Sequence, residues 1–99
     1  MLRATKVFVR PNTDAAWYEH TSAYVDHMQQ TYVAPGLRLN VEKTTSSDGL
    51  TSTVVTEWKD AAAYDQYMND PVSTEMFAAR KVHNEQRGIQ GKTPVTATI

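Results

Sequence analysis

The chain contains no cysteine, which excludes a disulfide framework, a thiolate nucleophile and any cysteine-based zinc or iron–sulfur site, and inclines the expected compartment toward the cytoplasm. Charge of one sign is lacking too. The 10 basic and 11 acidic side chains leave a net charge of −1. Without a clustered basic face, nucleic acid is not an expected partner. No window approaches the ~20 apolar residues of a membrane span, and Met1–Lys6 has no apolar signal-peptide core, so no membrane partner is expected either. Gly-x-Gly-x-x-Gly, phosphate-loop, Gly-x-Ser-x-Gly and His-Glu-x-x-His motifs are all missing, which removes support for nucleotide use, triad hydrolysis and zinc proteolysis.

What remains is a 99-residue chain, 40% hydrophobic, expected to form a single domain over residues 1–99. A chain of this size buries only about 60 to 70% of the surface its unfolded form exposes, so its core is thin and pairing with a second copy would help it.

Val7, Phe8 and Val9 make a β-prone run within Leu2–Arg10 that stops at Pro11-Asn12, which predicts a first strand. A helix capped by Asn12, Thr13 or Asp14 is expected next, carrying Trp17, Thr21, Tyr24, Val25, Met28 and Tyr32 on one stripe and ending at Pro35-Gly36. Leu37, Leu39 and Val41 alternate with Arg38, Asn40 and Glu42, predicting a strand with one apolar face. After the turn residues Ser46–Gly49, Val54, Val55 and Trp58 bring the chain back as a hairpin.

Asp60 can cap a short helix bearing Tyr64, Tyr67 and Met68. Pro71 suits the first turn of a longer one, with Val72, Met76, Ala79 and His83 on its inward stripe and Gly88 at its end. Thr93–Ile99 alternates as a last strand. The order β-α-β-β-α-β is the split arrangement of ferredoxin-like α+β domains with a four-stranded antiparallel sheet. The first strand offers Val7 and Val9 on one side and Phe8 on the other, and the second hairpin strand offers Val55 on one side and Val54 with Trp58 on the other, so both sheet faces carry apolar residues. Two apolar faces with helices on only one of them favour a face-to-face homodimer.

Glu57, Trp58, Asp60, Tyr64, Tyr67 and Asp70-Pro71, within that element order, resemble the strand-to-helix signature of the dimeric α+β barrel superfamily, and most of all its small antibiotic-biosynthesis-monooxygenase-like proteins. The resemblance covers the whole chain. It implies a dimeric barrel, and an activity drawn from a group that includes cofactor-free quinone-forming oxygenases, haem-degrading enzymes and lactone isomerases. Relatives often carry histidine where this chain has Tyr67 and Val72. In the haem-degrading branch the iron-ligating histidine falls near Phe77, which cannot ligate iron, so haem is not expected.

Histidine is the side chain that titrates near neutrality unaided. His20 and His27 lie seven positions apart, about 10.5 Å of helix rise, too far to share one metal at Zn–N distances near ~2 Å. No metal and no cofactor are therefore expected. His20 and His27 read either as general bases at a pocket mouth or as solvated border histidines. His83 reads either as an inward base or as a hydrogen-bonded interface or helix-end residue.

Trp17, Tyr24, Met28, Trp58 and Met76 form an aromatic and thioether set that can serve as core or as walls for a flat ligand. Arg38 can serve as a surface cation or as a bidentate donor to a ligand carboxylate. Two functions follow as expectations. The first is a cofactor-independent, monooxygenase-like enzyme for a small aromatic or enolisable substrate, with His83 or His20 as base and Tyr67 or Tyr24 as donor. The second is a non-catalytic homodimeric binder of a hydrophobic small molecule such as an aromatic or long-chain carboxylic acid.

Overall fold

The computed structural model describes all residues, Met1–Ile99. Its elements run β1 (Leu2–Val9), α1 (Ser22–Met28) continued by one π-helical turn (Gln29–Val33), β2 (Arg38–Thr45), β3 (Thr51–Trp58), α2 (Ala61–Asn69), α3 (Pro71–Arg87), β4 (Gln90–Gly91) and β5 (Val95–Thr98). All pairings are antiparallel, in the order β2-β3-β1-β4, and β5 lies beside β1 on the same edge as β4. This is the expected ferredoxin-like α+β arrangement, with the last strand split into two pieces around Lys92–Pro94.

The capping chemistry is where the sequence placed it. The Asp60 carboxylate accepts from the Ala63 amide at 2.8 Å, and the Asp70 carboxylate from the Val72 amide at 2.9 Å with Pro71 in the first turn of α3. Each satisfies a helix-terminal N–H that would otherwise have no partner. Gly88 closes α3 with φ +69°, a left-handed conformation that glycine adopts without a Cβ penalty.

The first helix is shorter than expected. Asn12 caps only a single turn, accepting from the amides of Asp14 and Ala15 at 3.1 Å each. The carbonyls of Ala15 and Ala16, which a helix would offer to amides four residues on, are taken by Arg10 at 2.9 Å and by His83 at 2.8 Å. Residues 11–21 therefore form a pinned loop. The working cap is Thr21, whose hydroxyl accepts from Tyr24 at 3.2 Å. From there Tyr24, Met28 and Tyr32 of the expected stripe are buried, whereas Val25 is 53% exposed.

Two further expectations are corrected. A bulge between Arg38 and Asn40 inserts Leu39 as an extra residue, so Arg38 pairs with Trp58 and Val41 with Thr56. The bulge switches the alternation. Leu37, Leu39 and Val41 do not form one buried face; Leu39 is 50% and Val41 45% exposed. On α3 the buried row is Ser73, Met76 and Asn84, with Phe77 and Arg80 partly covered, rather than Val72, Met76, Ala79 and His83. The helix is thus turned by about one position, ~100°, from the apolar pattern.

The core gathers Tyr24, Met28, Tyr32, Trp58, Ala63 and Met76 between the helices and the inner sheet face. Trp58 lies edge-on to Tyr32 and Tyr64 and tilted against Tyr67 at 4.8 Å, the offset geometries that aromatic quadrupoles favour. Only 11 of the 99 residues are buried. The outer sheet face has no helix over it; the β1–β3 register, with Thr5 opposite Val55, puts Val55 there beside Val7 and Val9.

Candidate functional site

A cavity of about 770 Å³ opens between the inner sheet face and the helices. β1 contributes Ala4, Lys6 and Phe8, and β3 contributes Val54, Thr56 and Trp58, each set at every second position. The bulge in β2 adds Arg38, Val41 and Lys43. Without the extra residue Arg38 would share its face with Asn40 and Glu42 instead. From the other side come His20 and Trp17 of the pinned loop, Tyr24 and Met28 of α1, Tyr67 of α2, and Phe77 and Arg80 of α3.

The polar centre of the wall is a tyrosine pair. The Tyr24 and Tyr67 hydroxyl oxygens are 3.3 Å apart. Burial raises the pKa of both above that of a free phenol, and for Tyr67 the neighbouring Tyr24 adds to the rise. Both are protonated at neutral pH. Only one of their two protons is used between them, so one O–H is free to point at a ligand oxygen.

His20 stacks on Tyr24, with ring centroids 4.4 Å apart and planes inclined by 24°, and Tyr18 meets its edge at 5.5 Å. His20 is exposed at the cavity mouth, and its partial desolvation lowers its pKa, with the cations Arg80, Lys43 and Arg38 lowering it further. The imidazole is therefore neutral near pH 7 and able to accept a proton.

Of the residues marked from the sequence, the structure brings His20, Tyr67, Trp17, Tyr24, Met28, Arg38 and Trp58 into the lining of this one cavity. Trp17 arrives on the loop rather than on a helix, held under the Arg10 guanidinium at 4.5 Å. Met76 is not in the wall; it is 4% exposed and packs in the core beneath it. His83 is not in the wall either. With α3 turned as described, its Nε2 meets the Ala16 carbonyl at 2.8 Å and its ring meets Tyr18 at 5.6 Å, so it ties the loop to the helix.

Arg80, Tyr18, Phe77 and Lys6 were passed over. Arg80 lies four positions after Met76 on the inward row, so spacing alone could have placed it, but the expected stripe ran from Met76 through Ala79 instead. No three histidine or carboxylate side chains converge into a metal-binding group, and no helix is long and apolar enough to cross a membrane.

Among solved structures, a monooxygenase from the gene ActVA-Orf6 of Streptomyces coelicolor, in complex with nanaomycin D, superposes with a TM-score of 0.66 at 20% identity, over 99% of this chain and 86% of that one. The fold is shared. An antibiotic biosynthesis monooxygenase matches with a TM-score of 0.61 at 17% identity, over 100% of this chain and 98% of the other. A dimeric ferredoxin-like protein from an uncultured marine organism matches with a TM-score of 0.58 at 13% identity, over 99% and 94%. No family model matches the sequence, and no curated protein does. The ferredoxin-like fold is thereby established for this chain, and the chemistry has to come from its own residues.

Proposed function

We propose that the protein is a monooxygenase-like, cofactor-independent enzyme acting on a small aromatic or enolisable substrate in the cavity between sheet and helices. The observation that carries this reading is the cluster of His20, Tyr24 and Tyr67 on one wall: a neutral imidazole stacked on a phenol whose hydroxyl sits 3.3 Å from a second phenol. His20 at the mouth takes the phenol or enol proton. The free tyrosine O–H donates to the developing oxyanion, and Trp58 and Trp17 supply apolar wall.

The ionised substrate then reduces dioxygen itself. Anthrone illustrates the balance. Its methylene carbon gains one oxygen atom and becomes a carbonyl, the other oxygen atom leaves as water, and the substrate provides all four electrons. Similar proteins described as monooxygenases support the assignment. The description of one as dimeric supports pairing through the uncovered face that bears Val7, Val9 and Val55.

The test is oxygen uptake with quinone absorbance, using anthrone and a panel of hydroxynaphthalenes. His20→Ala should slow turnover about 10²- to 10⁴-fold, the usual contribution of a general base. Turnover unchanged in both His20→Ala and Tyr67→Phe would defeat the proposal. A second reading, a non-catalytic carrier of a hydrophobic carboxylic acid, is favoured by one specific observation: the buried Arg38 Nε has no hydrogen-bond partner within the protein. Recovery of bound acid unaltered after aerobic incubation would select it.

A further inference from the structure

The charge of the cavity does not follow that of the chain. Lys6, Arg38, Lys43, Arg80 and Lys81 line it, half of the 10 basic side chains, whereas Glu85 is the one lining residue among the 11 acids. The molecule's two ion pairs, Arg3 with Glu57 and His27 with Asp70, use none of these cations. Lys6 is engaged, since its ammonium donates to the Lys92 carbonyl. The two arginines are not. Arg38 Nε is buried without a hydrogen-bond partner. The Arg80 guanidinium lies 4.8 Å from the Phe8 ring centroid and 5.4 Å from that of Phe77, in no ion pair. A guanidinium donor removed from water and left without a partner, as Arg38 Nε is, destabilises a fold, so a site that keeps it, with the unpaired Arg80 in the same lining, is suited to an anion that answers both.

Resting on the reading of this cavity as the ligand site, we propose that its ligand is an aromatic oxyanion, a carboxylate or an ionised phenol or enol, held by Arg38 and Arg80 beside the Tyr24 and Tyr67 hydroxyls. The fields of both guanidiniums reach the same three groups, because Arg38 and Arg80 each act on His20, Tyr24 and Tyr67. An oxyanion there meets two forked donors and the spare tyrosine O–H. The aromatic faces of Trp58, Tyr67 and Phe77 suit a planar ring. His20 beside them receives the proton if the ligand arrives as a phenol, whereas a carboxylic acid arrives already ionised.

Isothermal titration of the whole protein at low salt, using 2-naphthoate and its neutral isostere 2-naphthamide, tests the proposal without any variant. Naphthoate is expected to bind at least about tenfold more tightly, and the difference to shrink as salt rises. Arg38→Met and Arg80→Met should each weaken naphthoate about 10- to 100-fold, the range for a hydrogen bond to a charged group, and change naphthamide little. Lys59→Met, an exposed cation outside the cavity, should change neither.

Absorbance of added 2-naphthol separates the two anion sources. A red shift on binding assigns a phenolate, and naphthoate binding with unshifted naphthol assigns a carboxylic acid. Equal affinity for naphthoate and naphthamide overturns the proposal, as does a naphthoate preference that survives both arginine substitutions. Selective naphthoate binding without oxygen uptake on any hydroxynaphthalene upholds the anion site and defeats the oxygenase. Oxygen uptake with no charge preference does the reverse.

Discussion

Removing the Asp70 side chain should be among the most damaging single changes outside the apolar core, and its cost can be worked out bond by bond. One oxygen of Asp70 caps α3 through the Val72 amide at 2.9 Å. The other accepts from the Tyr32 hydroxyl at 2.7 Å and pairs with His27 Nε2 at 2.6 Å. Losing a cap of this kind costs about 1 kcal/mol. Tyr32 is fully buried, so its hydroxyl would be left without an acceptor, at about 1 to 3 kcal/mol. The His27 side chain is 31% exposed, and its pair is discounted to about 0.5 kcal/mol.

Asp70→Ala should therefore cost about 2 to 5 kcal/mol and lower the Tm by roughly 10 to 30 °C. Tyr32→Phe alone should cost about 1.5 to 3 kcal/mol. Placed on top of Asp70→Ala, however, Tyr32→Phe should cost almost nothing, since it deletes the stranded hydroxyl. Urea unfolding followed by tryptophan fluorescence at fixed protein concentration measures the cycle. Effects that add to within about 0.5 kcal/mol would refute the shared-carboxylate reasoning.

Burial works to raise the Asp70 pKa, but hydrogen bonds from His27, Tyr32 and the Val72 amide outweigh it and hold the group below its ordinary 3.8. The folded value is thus below the unfolded one. The stabilisation is present above pH 3.8 and is lost as pH falls below it toward the folded value. Asp70→Ala should flatten that acid limb.

The lowered His20 pKa makes a second pH prediction, with the neutral imidazole as the active form. Activity should fall on the acid side with a midpoint below the ordinary 6.5, and Arg80→Met should move that midpoint up, because Arg80 is one of its causes. A midpoint that ignores Arg80 would remove His20 as the base. If the chain pairs through the uncovered sheet face as proposed, Val55→Asp there should break the pair, since an unpaired carboxylate buried there costs about 3 kcal/mol or more, over a hundredfold in Kd. Native mass spectrometry of the variant reads this directly, and an intact dimer would move the interface to another surface.

The parts of the fold that read correctly from the sequence are those governed by local chemistry. Asp60, Asp70-Pro71, Gly88 and the Ser46–Gly49 turn act within a few residues of themselves, and each does what its residue type dictates. The errors came from long-range contacts. Arg10 takes the Ala15 carbonyl from five residues away, but nothing near Asn12 announces that His83 will take that of Ala16 across 67 residues and help stop a helix there. Seven of the marked site residues reached the wall even so, since burial periodicity selects an inward face whether that face becomes core or cavity.

The positions where the pattern failed are the ones that give the cavity its chemistry. On α3 the inward row holds Ser73, Arg80 and Asn84 where an ordinary core would hold aliphatic side chains. In β2 the extra residue turns Arg38 toward the helices, where simple alternation would have grouped it with Asn40 and Glu42. In the loop, Trp17 and His20 reach the mouth because the chain there is pinned rather than helical. Selection for stability alone would favour apolar residues on that α3 row and an unbroken ladder in β2. Departures from three independent local rules that converge on one cavity are what a binding site looks like when read as a folding problem.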